Sequence, residues 1–340
     1  MIKTKKNKTL IIAEIGPNHN GSYLKAKKMV EQLSKTGADV IKFQFGNPSD
    51  VYSDNAIMAN YQKKNDNSKS IIQMSVKNQL SLEEHIKLFR ICIKKKILYA
   101  CSVFDLKSLI LLNKKINLPF FKIPSGEINS IDILDYVSEK NKKIFLSTGM
   151  ASFKEIKQAV IKLKSKGNNK ITVMHCISAY PAKDNMVNME FLETLKKLNC
   201  NIGYSDHTLN DLASIAAISK GARVIEKHVT TSKNQIGPDH KSSYTIKEFG
   251  EFVKKIRKLE IILGKNLKIF SKEELNVKKV ARKSIVALNN IHKGKKIKSS
   301  DLVFKRPGTG ISPKDMKFVL GKKAKFLIKK NTVIKKSGIK

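Results

Sequence analysis

The chain has 340 residues, 41% of them hydrophobic, and a formal charge of +39 at pH 7. It is long enough for a large core and two domains, and no apolar run approaches the roughly 20 residues that span a bilayer. The charge invites a nucleic-acid reading, but the cations are nearly all lysine, with arginine only at Arg90, Arg223, Arg257, Arg282 and Arg306; base and phosphate readers favour arginine's planar fork, so nucleic acid is not expected as a partner, whereas an anionic substrate would benefit from the positive field.

The basic residues 1–9 run directly into a strand-like stretch, without the apolar run and cleavage site of a signal peptide. Short, nearly continuous apolar runs then recur at residues 10–16, 39–45, 97–104, 120–126, 143–149, 170–176, 201–207 and 223–229, as expected of strands buried on both faces. Amphipathic helical patterns lie between them, three opening on capping boxes: Ser81 with Glu84, Ser152 with Glu155 and Thr245 with Glu248. Strand–helix alternation repeated eight times predicts an α/β (β/α)8 TIM barrel. An open doubly wound sheet is the alternative, but no G-x-G-x-x-G follows the first strand.

Residues 47–79 form a long polar stretch after the second strand, read either as a lid over the active face or as a disordered insert. Gly264 is a natural helix stop that closes a barrel domain of residues 1–264. Residues 265–282 read as a linker with a short helix, and residues 283–340 as a small β-rich domain, marginal in size on its own. Cys92, Cys101, Cys176 and Cys200 lack C-x-x-C spacing and read as free thiols of a cytoplasmic protein.

In a barrel the C-terminal strand ends carry the chemistry. Here they hold Glu14, Lys42, Gln44, Ser102, Asp105, Lys122, Ser125, Glu127, Ser147, Thr148, His175, Ser205, Asp206, His207, Glu226, Lys227 and His228. His207 and His228 end successive strands, one crossover apart, which puts two imidazoles side by side and suits a divalent transition metal; a hydrogen-bonded core role is the bland alternative. Lys42 and Lys122 lie inside apolar strands, and buried ammonium groups demand anionic partners. With Ser125, Ser147 and Ser205 they would cradle a phosphate and a carboxylate, unless they pair with internal glutamates. Glu14, before a turn rich in Asn, Gly and Pro, is a candidate general acid/base or metal-supporting carboxylate.

Together, I-A-E-I-G-P-N-H-N-G from Ile12, G-A-D-V-I-K-F-Q from Gly37, F-K-I-P-S-G-E from Phe121, S-T-G-M from Ser147, Y-S-D-H-T from Tyr204, E-K-H from Glu226 and G-P-D-H from Gly237 resemble the N-acetylneuraminate (sialic acid) synthase family, with its legionaminate and pseudaminate relatives. R-K-S-I-V-A from Arg282, K-R-P-G from Lys305 and L-G-K-K-A from Leu320 resemble that family's SAF (antifreeze-like) domain. The resemblance implies a metal-dependent transferase that joins phosphoenolpyruvate to N-acetylmannosamine or a 2,4-diacetamido-6-deoxy hexose with water and releases phosphate. It implies Mn2+, with Mg2+ or Co2+ as substitutes, held by His207 and His228. Phosphoenolpyruvate contacts would come from Lys42, Lys122, Ser125, Ser147 and Ser205, proton handling from Glu14, and sugar contacts from Glu127, Tyr180 and Asp239. Arg306 would reach the neighbouring barrel of a domain-swapped homodimer. Ser178 and Arg282 depart from the Asn and Phe of some members near the sugar. Pseudaminate synthesis, condensation with a phosphorylated sugar, and a carbohydrate-binding protein with an inactive barrel are the competing readings; the scarcity of arginine argues against the phosphorylated acceptor, and intact Glu14, Lys42, Lys122, His207 and His228 argue against the inactive barrel.

Overall fold

The computed structural model describes residues 8–340; the reading of residues 1–7 lies outside the described residues. Eight strands, β1 (Leu10–Glu14), β2 (Val40–Phe45), β3 (Leu98–Val103), β4 (Phe120–Ile123), β5 (Lys143–Ser147), β6 (Ile171–Cys176), β7 (Asn201–Asp206) and β8 (Val224–Thr230), pair in parallel in chain order. β8 pairs back onto β1, with His228 opposite Glu14, so the sheet closes into a barrel. One main helix follows each strand, from Tyr23–Leu33 to Ile246–Leu263. The fold is the (β/α)8 barrel that the alternation predicts. A two-residue strand, β9 (Tyr244–Thr245), runs beside the end of β8. All three capping boxes form, at Ser81, Ser152 and Thr245. The fourth strand is shorter than expected: it stops at Ile123 because Pro124 has no N–H to continue the ladder, and Ser125–Glu127 turn as a 3-10 helix.

The two-residue period of a strand decides what faces where. On β1, Ile11 and Ala13 pack outward under the helices, while Leu10 and Ile12 point into the barrel. On β4, Phe121 packs outward and Phe120 inward, where its ring lies 4.4 Å from that of Phe145. These inward residues fill the lower barrel. At Gly203 an added Cβ would come within 2.9 Å of the Val224 carbonyl, so the filled interior leaves no room for a side chain there. Continuing the same inward register upward places Glu14 on β1 and Lys122 on β4 above this apolar plug.

The stretch 47–79 folds over the strand ends as a structured segment. It contains the short helices Pro48–Val51, Asn60–Asn65 and Ile71–Lys77 and packs on its own apolar cluster of Met58, Ile71 and Met74. The four cysteines are free. Among the described residues no helix is long and apolar enough to cross a membrane.

Lys265–Lys340 forms a second compact unit. The helix Lys272–Ala281, capped by Ser271, belongs to it: the Gly308 N–H donates to the Lys279 carbonyl at 2.7 Å. Strands β10 (Ser284–Ala287) and β11 (Leu302–Lys305) pair antiparallel over a core that includes Ile285, Ile291, Ile311 and Ile328. The other pairings of this unit are isolated bridges, such as Ile291 with Ile328 and Ala324 with Ile339.

Three buried histidines outside the strand ends set an acid limit. Burial holds His19 down to about 3, and His85 and His240 to about 4, from an ordinary value of 6.5. Each is neutral when folded and takes up a proton on unfolding, so their contribution to stability is complete above about pH 6.5 and is lost as the pH falls toward 4. Urea melts should show stability declining over that window, and His85→Phe should flatten the slope; a pH-independent midpoint would contradict this.

Candidate active site

The inward register converges on a cavity of about 390 Å³ at the C-terminal mouth of the barrel. Its floor is a buried charge cluster. Lys42 Nζ lies 2.9 Å from Glu14 Oε2 and 3.7 Å from Glu226 Oε2, and donates to Ser102 Oγ at 2.8 Å. Lys122 Nζ lies 3.5 Å from Glu226 Oε1 and donates to Ser147 Oγ at 2.7 Å. Ser205 Oγ donates to Glu226 Oε1, and Gln44 Nε2 to Glu14 Oε1. Both lysines therefore have internal carboxylate partners as well as hydroxyls. Two ammonium groups face two carboxylates, and Glu14 Oε2 and Glu226 Oε2 keep unused hydrogen-bonding capacity.

The two carboxyls differ in proton affinity. Burial pushes Glu14 up, against the opposing pull of Lys42. Glu226 is equally buried, but Lys122 and Lys42 together hold it down, to about 2. Environments that drive two carboxyls apart mark the raised one as the group that exchanges protons and the depressed one as a fixed charge. Burial also lowers Lys122, whereas Glu14 and Glu226 outweigh burial at Lys42 and raise it.

His207 and His228 stand together on the wall, ring centroids 5.4 Å apart. The His207 Nδ1–H donates to the Ile177 carbonyl at 2.6 Å, which fixes the tautomer and leaves Nε2 as the free ring nitrogen. Burial holds this imidazole down to about 4, hence neutral and able to ligate. His228 Nδ1 lies 3.3 Å from Asp239 Oδ2. Although burial opposes it, Asp239 raises the basicity of the His228 ring. Among the described residues no group of three or more His, Cys, Asp or Glu is disposed to hold a metal. His207 and His228 present two imidazoles to the cavity, a donor pair that would leave further positions open on an ion held there.

Ser125 Oγ accepts from the Gly149 N–H at 3.0 Å and meets Cys176 Sγ at 3.1 Å. A Cβ at Gly149 would lie 2.2 Å from Ser178 Oγ and 2.9 Å from Ser125 Oγ, so glycine keeps this corner open. Tyr180 packs against His207 with its ring tilted by 32°, centroids 4.2 Å apart, and Tyr61 stacks on Tyr180 at 5.0 Å.

Of the residues expected from the sequence, Glu14, Lys42, Lys122, Ser125, Ser147, Tyr180, Ser205, His207, His228 and Asp239 line this one cavity. Glu127 does not; it sits half-buried on the turn after β4, where its Oε2 accepts from Ser130 Oγ. Arg306 is exposed on the second unit. Asp206, Lys227 and His175 are one residue out of phase and face the helical layer. Lys227 donates to Asp206 at 2.8 Å, and His175 meets the Val187 carbonyl. Asp105 caps the helix Leu106–Ile116. The sequence reading left Glu226 without a role, and it placed the insertion carrying Tyr52, Tyr61 and Met74 over the active face without naming them as wall residues. Counting by twos back from His228 would have put Glu226 on the same face, whereas nothing in the polar loop announces its wall residues.

A family model described as the NeuB family matches residues 29–268, and a SAF domain model matches residues 282–340. The chain belongs to the NeuB family. The N,N'-diacetyllegionaminic acid synthase of Campylobacter jejuni is 41% identical over 96% of this chain and 99% of the relative. The pseudaminic acid synthase of Helicobacter pylori is 30% identical over 95% of each. The crystal structure of the N-acetylneuraminic acid synthetase of Leptospira borgpetersenii, in complex with citrate, superposes with a TM-score of 0.71 and 30% identity, covering 79% of this chain and 90% of that one.

Removing one member of the charge cluster should be costlier than its exposure to ligand suggests. Glu226→Gln leaves Lys122 without its carboxylate and should lower stability by about 3–5 kcal/mol, as for other broken buried ion pairs. Denaturant titration checks this; a change below about 1 kcal/mol would mean water already screens the cluster.

Proposed function

We propose that this NeuB-family chain joins phosphoenolpyruvate to the open-chain aldehyde of an N-acetylated amino sugar, with water, and releases phosphate, making a nonulosonic acid of the legionaminate or N-acetylneuraminate type. The observation that carries this reading is the juxtaposition, in one cavity, of paired cations, a proton-exchanging carboxyl and two imidazoles. The relatives' names support the reaction class, and the higher identity to the legionaminic than to the pseudaminic synthase supports the branch.

Lys122 and Lys42, with Ser125, Ser147 and Ser205, would bind the phosphate and carboxylate of phosphoenolpyruvate. The phosphate becomes the leaving group, and fixed cations stabilise charge as it departs. His207 and His228 would hold a divalent ion, Mn2+ foremost and Mg2+ or Co2+ as substitutes. When bound, this ion polarises the sugar carbonyl. Phosphoenolpyruvate C3 then attacks the aldehyde carbon, water adds at C2, and C–O cleavage expels phosphate. Glu14 is placed to give a proton to the new hydroxyl oxygen or to take one from the attacking water. Glu226, held anionic, keeps Lys42 and Lys122 protonated and oriented. Tyr180 and Asp239 would meet the sugar. Arg306 would act in the partner's barrel of a homodimer; the family resemblance and its exposed place on a separate small unit support this.

Exhaustive chelation should abolish phosphate release, and Mn2+ should restore it. His207→Ala should lose both activity and Mn2+ binding by calorimetry while keeping the wild-type far-UV spectrum. Full activity of the chelated His207→Ala protein would refute the metal assignment.

Arg306→Ala and Glu14→Ala chains should each be nearly inactive alone, yet recover activity when mixed and allowed to exchange, because one site in each heterodimer is intact. Exchanged heterodimers without recovery would refute the shared site.

A further inference from the structure

Asp239 reaches His228 from the segment that follows β8. Its carboxylate is buried and lies 3.3 Å from His228 Nδ1, a ring nitrogen that hydrogen-bonds to no other group. The orientation of that imidazole therefore depends on where the segment holds Asp239.

A buried polar clasp between the loop after β1 and the end of β8 holds it. His240, fully buried, is at the centre. The His240 Nε2–H donates to Asn20 Oδ1 at 2.8 Å, and its Nδ1 meets the Thr230 hydroxyl at 2.7 Å, so one ring bridges both elements. Asn20 Nδ2 donates in turn to the Ile236 carbonyl at 3.0 Å. Asn18, also fully buried, adds a second tie. Its Nδ2 donates to the Val229 carbonyl at 2.9 Å and to Ser243 Oγ at 2.8 Å, and Ser243 Oγ donates to the Asp239 carbonyl at 2.7 Å. The segment is thus anchored on both sides of Asp239. The fit is close: a Cβ at Gly237 would lie 2.8 Å from the His240 ring, so glycine lets the segment close over the imidazole. Asn18, Asn20, Thr230 and His240 do not themselves line the cavity, whereas Asp239 and His228 do.

We propose that His240, supported by Asn18 and Asn20, is a positioning residue that sets Asp239 on His228 and so orients this imidazole for the divalent ion. This rests on the synthase reading above. A carboxylate on a short connecting segment keeps a contact with an imidazole only if its backbone is fixed; once the segment loosens, water competes for both groups and the ring loses the partner that orients it. Polar groups buried behind the site, out of reach of substrate, serve that purpose at the cost of their own desolvation.

The test measures Mn2+ affinity of the full chain by calorimetry, alongside kcat and phosphoenolpyruvate binding. His240→Ala should weaken Mn2+ binding by about tenfold or more and lower kcat, the range for a partner behind a ligating histidine, while phosphoenolpyruvate affinity, set by the lysines, is unchanged. His240→Gln, whose amide can still donate to Asn20, should recover most of the Mn2+ affinity. A double-mutant cycle separates positioning from a general loss of structure. If His240 acts through Asp239, the protein carrying both His240→Ala and Asp239→Asn should bind Mn2+ no more weakly than Asp239→Asn alone. Additive losses, or an affinity of His240→Ala within about twofold of the wild type, would overturn the proposal. If His240→Ala does not fold, Asn20→Ala removes the same hydrogen bond and reads the same cycle. A wild-type protein that binds no Mn2+ would instead overturn the metal reading of His207 and His228, and this proposal with it.

Discussion

The pairing of Lys42 and Lys122 with Glu14 and Glu226 is the constraint on which the site depends. Four ionisable groups stand at the top of an apolar barrel core, where none would be tolerated alone. Together they are nearly neutral, and their unequal proton affinities make the cluster more than ballast. Glu226 is pinned as an anion between two ammonium groups, while Glu14, shared with Lys42 and Gln44, is left as the carboxyl whose proton can move. Lys42 and Lys122 are oriented cations whose desolvation burial has already imposed, so an anion bound there would not have to strip them of water.

The barrel supplies this arrangement through its closure. β1 and β8 are far apart in sequence, yet their pairing puts Glu14 opposite His228 and brings Glu226 within reach of Lys42 and Lys122. The apolar layer below, including Phe120 and Phe145, prevents water from reaching the cluster from beneath. The helical layer settles the polar residues that fall on the other phase: Lys227 is satisfied by Asp206 and lies 4.3 Å from the centre of the Tyr244 ring, so it strengthens the outer shell of the barrel instead of the site.

Beside this floor stands a second, less charged region. The neutral His207, the stacked Tyr180 and Tyr61, and the roof of residues 47–79 enclose the space above the lysines. Charge below and aromatic surface above divide the cavity into an anion end and an uncharged end. That division is the physical basis on which the proposed reaction would hold an anionic donor and an acceptor sugar in one pocket.

The sequence by itself determined the local features. Apolar runs, capping boxes and their eightfold alternation fixed the strands and helices, since these depend on neighbours a few residues apart. The strand-end position of Glu14, Lys42, Lys122, His207 and His228 was legible for the same reason. Tertiary structure decided what depends on distance across the chain: that both lysines are held by glutamates, that Glu226 rather than Lys227 belongs to the site, that Glu127 lies on a 3-10 turn after Pro124 and not on the strand, and that a polar-looking loop presents Tyr52, Tyr61 and Met74 inward. The reason is geometric. A strand's two-residue period gives two possible faces, and only closure of the barrel says which face is enclosed. A loop has no period at all, so the direction of its side chains is settled only by what it packs against.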